Sequence, residues 1–120
     1  MTRLTDSEWN VMEVLWAGDG LQLAQIVEAL APEAQWSRTT VHTYLTRMTA
    51  KGLIGSDDQY PRRYYAKISR DQCAERQRTD LLERVYQGSA GKLVMSFVKD
   101  GSLTRKEREE LRKLLDEMEV

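Results

Sequence analysis

The stretch Trp36–Ile68, WSRTTVHTYLTRMTAKGLIGSDDQYPRRYYAKI, decides the fold. It reads as one helix followed by a basic hairpin. At about 100° per residue, Val41, Tyr44, Leu45 and Met48 gather on one side of that helix, while Thr39, His42, Thr43, Thr46 and Arg47 spread over the other. A solvated helix face ordinarily carries long charged side chains, but this one carries threonines, which are mediocre helix formers. Propensity does not explain that choice. A nucleic-acid groove does, because short hydroxyls let a helix approach closely, bond phosphates or base edges, and touch a thymine methyl.

Outward from this stretch, the elements follow in tight succession. Thr5-Asp6-Ser7-Glu8 is a capping box, and Trp9, Met12, Leu15 and Trp16 recur at helical spacing up to Gly18, predicting a helix over about Asp6 to Ala17. Gly18-Asp19-Gly20 is a turn and Leu21 to Leu23 a very short strand; Ala24, Ile26, Val27 and Leu30 then predict a second helix closed by Pro32. Ser37 is the N-cap of the third helix and Gly52 its stop. Leu53 to Ser56 and Arg62 to Ile68 are strands joined by the turn Asp57-Asp58-Gln59, with Pro61 confined to a strand end or edge. Three short helices and a two-stranded hairpin make a winged helix-turn-helix over residues 1–68. The fold class is therefore mainly α with a small β-hairpin, the third helix free to enter a major groove and the wing arginines Arg62 and Arg63 free to reach phosphates or a minor groove.

The remaining residues, 69–120, predict a helical domain. Ser69-Arg70-Asp71-Gln72 and Thr104-Arg105-Lys106-Glu107 are further capping boxes. The first starts a helix with Ala74, Leu81, Leu82 and Val85; a second carries Ala90, Leu93, Val94, Phe97 and Val98 up to Asp100-Gly101; the third is striped by Leu111, Leu114, Leu115 and Met118. Three such helices bury too little alone, and a second copy about a two-fold axis is the simplest partner.

Composition sets the class. In 120 residues, 41% are hydrophobic and 31% charged, as in one ordinary globular domain or a small domain with an appendage. No apolar run reaches membrane-spanning length and no secretory signal follows Met1, so a cytoplasmic location without membrane insertion is expected. One cysteine and one histidine supply neither a disulfide nor a metal cluster, and no nucleophile–base pair, phosphate loop or paired-carboxylate cleft emerges. No catalytic residue, metal or cofactor is therefore expected. The net charge of −1 hides a segregation: residues 1–35 hold one base against six acids, residues 36–67 hold six bases against two acids, and residues 68–120 hold eleven of each. Positive potential coincides with the threonine face, as a phosphate-binding surface requires.

Single residues also have duller readings. His42 is a DNA contact or an ordinary solvated histidine; Cys73 is a small buried hydrophobe; Trp9, Trp16 and Trp36 are core residues; one of Tyr64 and Tyr65 must face the core if the hairpin alternates. The rival to DNA binding is a winged-helix module that uses its third helix on another protein, and the threonine-arginine face argues against it.

These residues carry a resemblance. The pieces Leu4-Thr5-Asp6-Ser7-Glu8-Trp9, Val11-Met12, Leu15-Trp16, Ile26-Val27, Leu30, Trp36-Ser37, Thr39-Thr40-Val41, Thr43, Leu45, Arg47-Met48, Lys51-Gly52-Leu53 and Ser69-Arg70 are similar to those of the penicillinase-repressor family, which includes the beta-lactamase, methicillin-resistance and copper-responsive repressors. The resemblance implies a homodimeric transcriptional repressor on a dyad-symmetric double-stranded DNA operator. Its recognition-helix contacts would fall on Thr39, Thr40, Thr43 and Arg47; Ser37 and Arg38 at the helix start and Arg62 and Arg63 of the wing complete the expected DNA-binding set, and the apolar positions Leu81, Leu82, Val85, Leu93, Val94, Phe97, Leu111, Leu114, Leu115 and Met118 the expected dimer contacts. Antibiotic-responsive members are cut by a membrane sensor protease at an Asn-Phe bond, which here is Ser96-Phe97, and copper-responsive members end in a cysteine-rich motif that Glu117-Met118-Glu119-Val120 lacks. The wing departs too, reading Tyr60-Pro61-Arg62-Arg63-Tyr64-Tyr65 where the family has Gly-Arg, which leaves open which arginine takes the wing contact.

Overall fold

The computed structural model describes residues 4–57 and 60–118. Three helices, α1 (Asp6–Ala17), α2 (Leu23–Leu30) and α3 (Arg38–Ala50), are interleaved with strands β1 (Leu21–Gln22), β2 (Ile54–Ser56) and β3 (Arg63–Ala66), and α4 (Arg70–Val85), α5 (Ala90–Asp100) and α6 (Arg105–Glu117) follow. The fold is a winged helix with additional C-terminal helices.

Local chemistry sets the helix ends. In α1 the Thr5 hydroxyl accepts the Glu8 N–H and the Glu8 carboxylate accepts the Thr5 N–H, so two otherwise orphaned donors are satisfied reciprocally. The same reciprocal box starts α6 with Thr104 and Glu107, and Ser69 and Gln72 form one ahead of α4. Past α3, Gly52 takes φ +79 with open space around its Cα. Only the left-handed backbone, not packing, therefore opposes a side chain there, and Gly52→Ala should lower stability by about 1–2 kcal/mol, read from the urea midpoint at unchanged m-value.

The predicted wing hairpin forms, β2 pairing antiparallel with β3, and β1 adds to it on the other side of β3, giving a three-stranded antiparallel sheet in the order β1-β3-β2, with Leu21 opposite Tyr64 and Gln22 opposite Arg63. The strands are also shorter than predicted, although the Lys67 N–H still reaches the Leu53 carbonyl at 2.9 Å beyond β3. At the wing's turn Asp57 exchanges bonds with Arg63, its N–H donating to the Arg63 carbonyl (3.1 Å) and its carboxylate accepting the Arg63 N–H (3.0 Å). Asp58 and Gln59, the rest of the expected turn, lie outside the described residues, as do Glu119 and Val120. The alternation of β3 buries Tyr64 and exposes Tyr65, whose ring lies across Gly55 so closely that a Cβ there would meet it at 2.8 Å.

The core is built from Val11, Met12 and Leu15 of α1, Ile26 and Leu30 of α2, Val41, Leu45 and Met48 of α3, and Leu53, Ile54 and Tyr64 of the sheet. Four predicted core positions, Tyr44 and the three tryptophans, are rim positions instead. Tyr44 is half-buried and stacks on Trp36 with centroids 4.7 Å apart, and Trp9 and Trp16 meet edge to face at 5.3 Å while the Trp16 indole N–H donates to the Ile68 carbonyl. Ala24, assigned to the stripe of the second helix, is exposed.

The chain divides into two compact units, one ending at Arg78 and the other starting at Thr79. The first half of α4 packs on the winged unit: Cys73 is buried in its core, Arg70 pairs with Glu13 at 3.0 Å above the Trp9 ring, and the Gln77 amide donates to the Leu4 carbonyl. In the second unit, Ser89 caps α5, Gly101 ends it in the left-handed conformation, and neither α5 nor α6 has a buried residue.

Candidate nucleic-acid interface

The helix α3 is anchored by one side and open on the other. Val41, Leu45 and Met48 are fully buried, while Thr39, His42, Thr43, Thr46 and Arg47 are all exposed. The Ser37 hydroxyl accepts the Thr40 N–H and donates to the Thr40 hydroxyl, both at 3.1 Å, and Thr40 is half-buried; these two shape the helix start. The Thr43 hydroxyl donates to the Thr39 carbonyl and that of Thr46 to the His42 carbonyl, each at 3.0 Å. Their protons are thereby committed to the helix, so the outward face presents methyl groups and oxygen lone pairs. Such a surface accepts bonds from base amino groups and packs on thymine methyls.

The predicted basic residues separate into two sets. Lys51 is not part of an open patch: its ammonium pairs with the buried Glu8 carboxylate at 2.6 Å. Arg63 is folded back, its guanidinium donating to the Gly20 carbonyl at 3.1 Å. Arg38, Arg47 and Arg62 are exposed and make no ion pair among the described residues. The wing and α3 share a cleft, with Arg38 and His42 on the helix side and Tyr60, Pro61 and Arg62 on the wing side.

Sequence reasoning missed Glu8 as a core residue. It is 4% exposed, although it is the capping-box acid of α1. Burial alone would raise its carboxyl pKa, but the Lys51 ammonium and the Thr5 N–H outweigh that and hold it below the ordinary carboxylate range. The available signal was positional, since Glu8, Val11, Met12 and Leu15 occupy one helical line. Cys73 is buried as predicted, and burial pushes its thiol up against the opposing pull of Arg76, which keeps it protonated and inert.

The predicted dimer residues are clustered in the second unit. Leu81, Leu82, Leu93 and Leu111 are half-buried, whereas Val85, Val94, Phe97, Leu114, Leu115 and Met118 are exposed, Met118 to 73%. Ser96 and Phe97 lie within α5, where the Ser96 hydroxyl donates to the Leu93 carbonyl at 2.7 Å. No helix among the described residues is long and apolar enough to cross a membrane.

The methicillin resistance regulatory protein MecI of Mammaliicoccus sciuri is 29% identical over 114 residues, covering 94% of this chain and 93% of its own. A penicillinase repressor of Staphylococcus aureus is 30% identical over 115 residues, covering 93% of this chain and 90% of its own. Among solved structures, monomeric Bacillus licheniformis BlaI in complex with the blaP half-operator is similar at a TM-score of 0.52 and 24% identity, over 59% of this chain and 88% of that one. Bordetella bronchiseptica BpsR is similar at 0.52 and 21% identity, over 97% and 80% respectively, and both likenesses bear on the fold alone. The family profile described as penicillinase repressor matches residues 4–117, and the chain belongs to that family.

Proposed function

We propose that the protein is a DNA-binding transcriptional repressor, a regulator and not an enzyme, that acts in the cytoplasm as a homodimer on a dyad-symmetric operator. The observation that carries this reading is the free face of α3, where exposed threonines stand between the exposed Arg38 and Arg47 while the opposite face is locked into the core. Family membership supports it. Two copies would place two such helices about one turn of duplex apart and occlude a promoter. Arg62 takes the wing contact in this reading, since Arg63 is held by Gly20. Ser37, Thr39 and Thr40 position the helix start against the backbone, and Thr43 and Arg47 reach base edges.

Fluorescence anisotropy with the duplex upstream of its own gene and with a mixed-sequence duplex, titrated over salt, tests this reading. A repressor loses affinity steeply as salt rises; a protein-binding winged helix binds neither duplex. Arg47→Ala should weaken binding about tenfold or more and Thr43→Ala by a smaller factor, with the dimer intact by light scattering. Arg62→Ala should lower the salt slope by roughly one, whereas an unchanged slope would place Arg62 off the phosphates.

Release from DNA through a membrane sensor protease would divide α5 at Ser96–Phe97 and with it the exposed apolar face. That bond is in mid-helix, so α5 must first unwind locally.

A further inference from the structure

The cleft between α3 and the wing gathers positive charge around one titratable ring. His42 is exposed on α3 one turn after Arg38, and the wing side brings Arg62 with the phenols of Tyr60 and Tyr64. The β1–α2 junction that closes the cleft, residues 22–24, contributes no charged group, and no carboxylate among the described residues lines it. Among the described residues the ring thus shares its cleft with cations and hydroxyls and with no carboxylate, and the polyanion that would enter such a cleft carries phosphodiesters.

Resting on the DNA-binding reading above, we propose that Arg38, His42 and Arg62 form a phosphate subsite for the DNA backbone at which His42 binds as the imidazolium, so that DNA affinity rises as pH falls. The neutral ring offers a phosphate at most one N–H; the imidazolium offers two N–H donors and a charge. Binding of duplex and uptake of a proton at His42 therefore assist one another, and by linkage each strengthens the other equally. The subsite reads no sequence, because phosphates carry none. It tunes how tightly the repressor holds any duplex, with His42 as its switchable charge.

The composition makes the test clean, since His42 is the single histidine of the chain. Carboxylates titrate below, and the terminal amine and phenols above, the interval of about pH 5.5–7 in which histidine ordinarily changes charge. Anisotropy of a mixed-sequence duplex at fixed low ionic strength should show the wild type binding roughly tenfold more tightly at pH 5.5 than at pH 7.5. His42→Gln, which offers a neutral N–H donor and no charge, should abolish that dependence. His42→Lys, charged throughout, should hold close to the low-pH affinity at every pH. A wild type with flat affinity, or a His42→Gln variant that keeps the full pH response, overturns the subsite while leaving the DNA-binding reading intact. Absence of duplex binding at every pH overturns that reading and the subsite with it.

Discussion

Leu115→Asp should turn the protein into a monomer and weaken operator binding by two orders of magnitude or more. Within the second unit neither α5 nor α6 buries a single residue, and Leu115 is 55% exposed beside Leu114 and Met118, which are more exposed still. Val94, Phe97 and Val98 of α5 add to the same uncovered apolar set. Leaving so many large apolar side chains in water forgoes on the order of 1.5–3 kcal/mol apiece, and a symmetric partner that covers them recovers it. A carboxylate placed in that seam must be desolvated without a partner, which opposes association more strongly than truncation would. The loss in DNA affinity follows from geometry. Joined half-site binders gain about 10²–10⁴ over single ones through effective concentration, and the monomer forfeits that factor with its α3 contacts intact. Light scattering reads the mass and anisotropy the affinity. An unchanged circular dichroism spectrum would show that the helices remain folded. A Leu115→Asp protein that stayed dimeric would place the interface elsewhere.

What was legible in the sequence was what short-range chemistry determines. The three capping boxes pair residues three apart, and each forms as read. The threonine face of α3 was legible because helical periodicity alone places Thr39, Thr43 and Arg47 opposite Val41, Leu45 and Met48. What was hidden depends on residues far apart in the chain. The pairing of Leu21 with Tyr64, which makes the wing sheet three-stranded, spans more than half of the winged unit, and a two-residue strand gives no alternation to read. The choice between Arg62 and Arg63 turns on the Gly20 carbonyl, and the Tyr44 ring is at the rim because Trp36 is there to stack on it. Charge counting over residues 36–67 also overstated the open patch. It included Lys51 and Arg63, both of which the fold engages.

Lys51, counted in the basic segment, is engaged by Glu8, and Lys51→Met should cost the winged unit about 2–3 kcal/mol near neutral pH. One Glu8 carboxylate oxygen accepts the Thr5 N–H at 2.9 Å and the other accepts the Lys51 ammonium at 2.6 Å, with Glu8 almost wholly out of water. Removing the cation leaves a buried carboxylate half satisfied, for which about 3–5 kcal/mol is usual; the side chain of Lys51 is 38% exposed, and solvent screening brings the figure down. For a unit of this size, a drop in Tm of roughly 10 °C or more corresponds. The pH dependence has a definite sign. In the wild type the Glu8 carboxyl is held below its ordinary range, so its contribution is present at neutral pH and is lost as pH falls through the folded-state value. In Lys51→Met only burial and the Thr5 N–H remain, and burial favours the protonated acid. The gap between the two proteins should then narrow steadily on acidification, as urea midpoints at pH 7 and pH 4 would show. Glu8→Gln combined with Lys51→Met should be milder than Lys51→Met alone, since the amide oxygen can still accept the Thr5 N–H and no charge is stranded. The same variant separates structure from recognition: because the Lys51 ammonium is engaged by Glu8, its loss should leave the salt slope of DNA binding unchanged, while loss of Arg47 should reduce it. A Lys51→Met protein with wild-type Tm and a reduced salt slope would return Lys51 to the DNA face and remove the buried pair from the account of how α3 is held.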